Sequence, residues 1–139
     1  MNSINSLEKE KKEHAEIFYG LLEFEEIIDS NNPDYWNLIY TFHKILNLIS
    51  QHEKYEEYLL NKINNNENGV NISKNMILID QRAIRGHIKV IGEAIKSKDM
   101  NYIRVALDND GRMFVSRVKE QIFKEEQIFD NLLFLHLVH

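Results

Sequence analysis

The sequence predicts an all-α protein, an antiparallel up-down-up-down four-helix bundle, and three observations carry that prediction. Only one proline and five glycines occur in 139 residues, so few points can interrupt a helix. Apolar residues recur in alternating steps of three and four, the spacing that keeps side chains on one helical face. The breaks between these stretches are short, which favours antiparallel neighbours. With 43% hydrophobic and 28% charged residues, the chain has the composition of one folded domain spanning 1–139.

The first helix can be capped by Asn5 or Ser6 and runs to about Asp29, with the stripe Leu7, Glu10, His14, Ile17, Leu21, Phe24 and Ile28. Ser30-Asn31-Asn32-Pro33 ends it, because Asn32 suits a cap and Pro33 suits a first helical turn, where its missing N–H costs nothing. The second helix extends to about Ile63 through Leu38, Phe42, Ile45, Ile49, His52, Glu56, Leu59 and Ile63. Asn64 to Gly69 reads as a loop. Ser73 can then cap a third helix reaching about Ile95, with the stripe Ile77, Gln81, Ile84, Ile88, Ile91 and Ile95. From about Asp99 a long fourth helix carries Leu107, Gly111, Phe114, Val118, Gln121, Glu125, Ile128, Leu132 and Leu135. Within it, Asp108-Asn109-Asp110-Gly111 is a turn signal that would kink or split the helix.

Charge and composition narrow the function classes. Seventeen basic against 22 acidic residues give a formal charge of −5, which argues against a nucleic-acid binder relying on phosphate neutralisation. No cysteine is present, so disulfides, thiolate zinc sites, iron–sulfur clusters and cysteine nucleophiles are excluded. The start MNSINSLEKEKKEHAE has no apolar signal region, and no long uncharged apolar stretch follows. The expectation is a soluble, cytoplasmic protein with neither a membrane nor a nucleic-acid partner.

Polar residues interrupt every stripe. Glu10 lies near the start of its helix and is expected to reach solvent, whereas His14, His52, Glu56, Gln81, Gln121 and Glu125 fall well inside the seams. Treating each antiparallel turn as a mirror brings these inner residues toward one height, with a mismatch on the last helix that tilt or a kink at Gly111 would absorb. Burying so many polar groups is costly unless they satisfy one another or bind something. Two readings stay open: a metal centre, or a metal-free network in which Gln81 and Gln121 bond to the acids and histidines.

The order of these residues resembles the hemerythrin-like, HHE cation-binding domains. That family has one histidine on the first helix, H-x-x-x-E on the second, one histidine on the third and H-x-x-x-E on the fourth. This chain has His14, then His52-Glu53-Lys54-Tyr55-Glu56-Glu57, then Gln81, then Gln121-Ile122-Phe123-Lys124-Glu125-Glu126. The resemblance spans nearly the whole chain and departs at Gln81 and Gln121, where the family places histidines. It implies a non-haem iron centre, di-iron in the family, that binds oxygen, nitric oxide or metal for sensing or storage. Glu56 and Glu125 would be the bridging carboxylates, with His14 and His52 as terminal nitrogen ligands. Gln81 and Gln121 would be weaker ligands or outer hydrogen-bond partners, since an amide oxygen ligates transition metals less well than imidazole.

Other candidates are weaker. His43 lies about 180° around the helix from His52, His87 is off its stripe, and His136 and His139 sit at a terminus. No histidine has a glutamate three residues earlier, which excludes the usual ferritin-like di-iron motif. No arrangement of nucleophile, base and oxyanion donors is visible, so no enzyme is predicted. The competing reading is a degenerate, metal-free bundle acting as a protein-interaction or small-ligand module.

Overall fold

The computed structural model describes the backbone of residues 3–62 and 68–138, and side-chain surroundings for 8–61, 75 and 77–131. All regular structure among the described residues is helical: α1 (Ser3–Asp29), α2 (Tyr35–Lys62), α3 (Asn68–Ser97), α4 (Met100–Ala106), a π turn (Leu107–Gly111) and α5 (Arg112–Val138). Helix α1 packs on α2 and α5, and α3 packs on α5, α4 and, over a smaller area, α2. No helix among the described residues is long and apolar enough to cross a membrane.

Several helix ends differ from those expected. Helix α1 begins at Ser3, so Asn5 and Ser6 lie within it. Helix α2 begins after Asp34, whose Oδ1 accepts from the Trp36 N–H at 3.0 Å, so Asp34 replaces Asn32 as the cap and Pro33 precedes the helix. A carboxylate positioned there meets both a free N–H and the positive end of the helix dipole. Helix α3 begins at Asn68 and already includes Ser73, because Asn68 and Gly69 join the helix instead of a loop. The remainder of that loop, 64–67, lies outside the described residues, as do the surroundings of Leu7, Ile63, Leu132, Leu135 and His136, and His139 altogether. Helical structure resumes where expected, near Asp99, which caps α4 by accepting from the N–H groups of Asn101 and Tyr102. Before it, Lys98 takes a positive φ of 57°, a left-handed residue that ends α3.

The Asp108–Gly111 signal appears as a π turn inside one uninterrupted helical run, its flanking residues Ala106 and Arg112 both right-handed. Gly111 is needed there for space. A Cβ at this position would stand 3.2 Å from Ile28 Cδ1, tighter than ordinary contact. Gly20 does the same between α1 and α2, where a Cβ would come within 2.9 Å of Ile45 Cγ1.

The stripes meet in the interior. Phe24, Phe42 and Phe114 form an aromatic layer with ring centroids 5.8 to 6.1 Å apart, surrounded by Leu21, Leu38, Ile91, Ile103 and Leu107. Each such side chain contributes roughly 1.5–3 kcal/mol by leaving water. A smaller apolar cluster of Leu60, Ile77 and Phe129 forms farther along the same helices. In chain order, His52 and Glu56 on α2 and Glu125 on α5 lie between the two clusters, while Glu10 and His14 on α1 precede the first.

Candidate metal centre

Five side chains converge in this intermediate layer: Glu10 and His14 from α1, His52 and Glu56 from α2, and Glu125 from α5. Each offers one ligand atom, and these atoms all lie within 4.8 Å of one another. All five residues are buried, with Glu10 at 0% and His52, the most exposed, at 4%. Spacing explains the convergence on two of the helices, since Glu10 and His14, and likewise His52 and Glu56, are four residues apart and share a helical face.

The contacts place acceptors and lone pairs around a common point. His14 Nε2 lies 3.1 Å from Glu10 Oε1 and 3.3 Å from Glu125 Oε1. His52 Nε2 lies 3.2 Å from Glu10 Oε1, 3.3 Å from Glu56 Oε2 and 3.5 Å from Glu125 Oε1. The two imidazoles meet edge to face, with centroids 4.4 Å apart. Despite these short distances, His52 Nε2 and both carboxylate oxygens of Glu10 and Glu56 make no aligned hydrogen bond among the described residues. Buried polar atoms rarely lack an aligned hydrogen bond, so a cluster with five such atoms among its side chains is suited to a bound group.

Outer carboxylates orient the rings. The Nδ1–H of His14 donates to Glu126 Oε1 at 3.1 Å, and the Nδ1–H of His52 donates to Glu13 Oε1 at 2.9 Å. A carboxylate can only accept, so Nδ1 of each ring carries a proton and Nε2 is the nitrogen turned inward. This carboxylate–histidine arrangement is the one that fixes the tautomer of metal-ligating histidines.

Electrostatics reflect the crowding. Burial opposes charge on His14 and His52, but contacts with Glu10 and Glu125 outweigh it, pushing His14 up to about 9 and His52 higher still. Burial also opposes the Glu125 carboxylate, yet its two imidazole neighbours hold it at about 2, and the same pair lowers Glu10. Glu56 goes the other way, well above the usual carboxylate range, because burial dominates and anionic Glu125 is adjacent. Without a metal, the imidazoles therefore favour their charged form beside Glu10 and Glu125, and Glu56 favours its neutral one.

His14, His52, Glu56 and Glu125, all expected in one layer, are brought together. Gln121 joins them at one remove, its amide N–H donating to Glu125 Oε2 at 2.7 Å. Gln81 is buried beside Glu56 in a cavity of about 410 Å³ between α2 and α3, but no hydrogen bond among the described residues links it to the cluster. Glu10 corrects the expectation that it reaches solvent, since α1 begins far enough upstream for α2 and α5 to cover it. The signal for it was present in Glu10-x-x-x-His14, the reverse of the motif on α2. Glu13 was also overlooked as a partner for His52. His43 is exposed, and His87 bonds Asp110 and Arg117 away from the cluster. No family model, curated protein or solved structure matches the chain.

Proposed function

We propose that this protein is a hemerythrin-like metal-binding protein, an up-down-up-down four-helix bundle whose Glu10, His14, His52, Glu56 and Glu125 hold a transition metal. Iron is the first candidate. The single observation that carries this reading is the convergence of five buried side chains whose ligand atoms lie within 4.8 Å of one another, with five of their polar atoms lacking an aligned hydrogen bond. The donor set fits, since mixed imidazole and carboxylate ligands suit iron, manganese and zinc, whereas magnesium and calcium prefer oxygen alone. Bound iron would supply a redox-active coordination site for oxygen or nitric oxide, in sensing or storage.

The chain's own residues have separable tasks. His14 and His52 present neutral nitrogen once their protons are displaced, and Glu126 and Glu13 keep the rings aimed. Glu10, Glu56 and Glu125 supply negative charge that would offset the cation. The neighbouring apolar side chains, Ile17, Val118 and Ile122 among them, exclude bulk water. The reading keeps the cytoplasmic location and non-enzymatic role expected from the sequence.

A metal-free interaction or small-ligand module is the second reading. It is favoured by the Gln121–Glu125 hydrogen bond, in which a neutral amide satisfies an acid without any metal. Metal analysis of protein purified without a histidine tag, followed by anaerobic titration with ferrous ion, separates the two. Stoichiometric tight binding supports the metal centre. A folded protein that takes up no metal leaves the module.

A further inference from the structure

We infer that the centre holds one metal ion per chain, and that Gln121 enforces this by occupying the oxygen of Glu125 that a second ion would use. The inference rests on the metal-binding reading and specifies its stoichiometry. One ion is a departure from the paired metals implied by the resemblance, and it follows from how each donor is disposed.

Both histidines spend one ring nitrogen on an outer carboxylate, so each has only Nε2 to offer inward. Those two nitrogens share the same two oxygen neighbours, Glu10 Oε1 and Glu125 Oε1. The nitrogen donors therefore address one position, and none is left for a second. A carboxylate bridges two ions by giving one oxygen to each. Glu125 turns Oε1 to the cluster while Oε2 accepts the Gln121 amide at 2.7 Å, a contact that holds Oε2 toward Gln121 and competes with a second ion for it. Among the described residues, helix α3 adds no imidazole or carboxylate to the group; its inward position there is Gln81.

Space agrees with this count. The internal cavity beside His52, Glu56, Gln121 and Glu125 measures about 20 Å³. That is roughly enough for one water-sized molecule, which needs about 10–15 Å³, and the larger cavity of about 410 Å³ that Glu56 also lines is lined by neither histidine. In place of the missing helix-α3 ligand, the set contains Glu10, whose Oε1 lies within 3.2 Å of both imidazole nitrogens. Gln121 is thus a positioning residue acting through Glu125, and Glu10 is a proposed direct ligand.

The test uses the full-length, untagged chain, stripped of metal and loaded anaerobically in separate samples with excess manganous or ferrous ion, then desalted. Plasma mass spectrometry should find one ion per chain, and the manganese sample should show the hyperfine sextet of an isolated ion in electron paramagnetic resonance. Glu10→Gln should weaken manganese binding at least about tenfold, and Gln121→Leu by about tenfold through loss of Glu125 orientation, while Gln81→Ala should leave affinity unchanged. Gln81→His with Gln121→His, which adds two imidazoles and removes the clamp, should raise the count toward two. Circular dichroism checks the fold of every variant, and Glu10→Asp replaces Glu10→Gln should the latter unfold; it too should weaken binding, because the shorter side chain withdraws the oxygen.

Two ions per chain with an exchange-coupled manganese spectrum in the parent would overturn the single-ion inference and leave the metal-binding reading intact. Unchanged affinity in folded Glu10→Gln would overturn the ligand set. A helical parent that takes up neither metal would remove both.

Discussion

The aromatic layer at Phe24, Phe42 and Phe114 and the polar layer at His14, His52 and Glu125 are built by the same stretches of helix, about 15 Å apart along α1 at ~1.5 Å per residue. Both are buried almost completely. They differ in what settles their energy. In the aromatic layer each group is satisfied by neighbours of its own kind, so its contribution is nearly indifferent to pH and to solutes. In the polar layer, charges must be neutralised by protons or by a metal, so its contribution follows the solution. Shared burial therefore does not imply shared robustness.

The largest effect should come from the aromatic side. Phe24→Ala should cost about 3–5 kcal/mol in chemical denaturation, because a fully enclosed ring leaves a void its neighbours fill only partly. That loss should be the same with and without metal. A loss that shrinks on metal addition would mean the two layers are energetically linked across the helices.

Next in size is His52→Ala, which should weaken metal binding by at least about a hundredfold, since the ring supplies a donor and touches all three carboxylates. The matching His43→Ala, at an exposed position, should change nothing. Equal losses at the two positions would move the metal to the surface and erase the distinction between layers.

A pH series on the metal-free protein sharpens the comparison further. Glu56 is raised above 4.5 on folding, so its contribution weakens as pH climbs from there. His14, raised from 6.5 to about 9, contributes fully below 6.5 and loses that contribution as pH rises through 9. Glu125, lowered from 4.5 to about 2, contributes fully above 4.5 and loses that contribution as pH falls through 2. The melting temperature should thus fall on the alkaline side and again toward pH 2. Metal affinity should do the opposite over the alkaline window, increasing with pH as protons leave the imidazoles and Glu56. A melting temperature that rises between pH 6.5 and 9 without metal would contradict the contacts assigned to His14.

The smallest effect is expected at the exposed start of α4. Asp99→Ala removes the α4 cap and should cost about 1 kcal/mol in urea unfolding, with no change in metal affinity. A measurable drop in affinity would show that the start of α4 is mechanically tied to the centre.

The helical class was legible because the stripes are long and regular, and Leu21, Phe24, Leu38, Ile91 and Phe114 all lie in the core their spacing implies. The inward-facing His14, His52, Glu56 and Glu125 were legible for the same reason. Glu10 was not, because its burial depends on how far α1 extends upstream and on which helices cover it. The Glu13 and Glu126 contacts were harder still, since they depend on the rotation of one helix against another. At the start of α2, Asn32 was the cap expected before Pro33, and Asp34 takes that role through one hydrogen bond that spacing does not encode.

The π turn at Leu107–Gly111 leaves slack in the chain. Such a turn takes in one residue more than an α turn while the helix continues on both sides, so the run from Met100 to Val138 holds a spare residue at this one place. Excising Asn109, which faces solvent, would let the backbone close into an ordinary helix with both flanking faces kept. Excising a residue between Gly111 and Gln121 has no such reserve to draw on. It would swing the following side chains by ~100° relative to the preceding turn, and Glu125 would leave the centre. The length of this helix is thus elastic at the turn and rigid beyond it, and the centre lies on the rigid side.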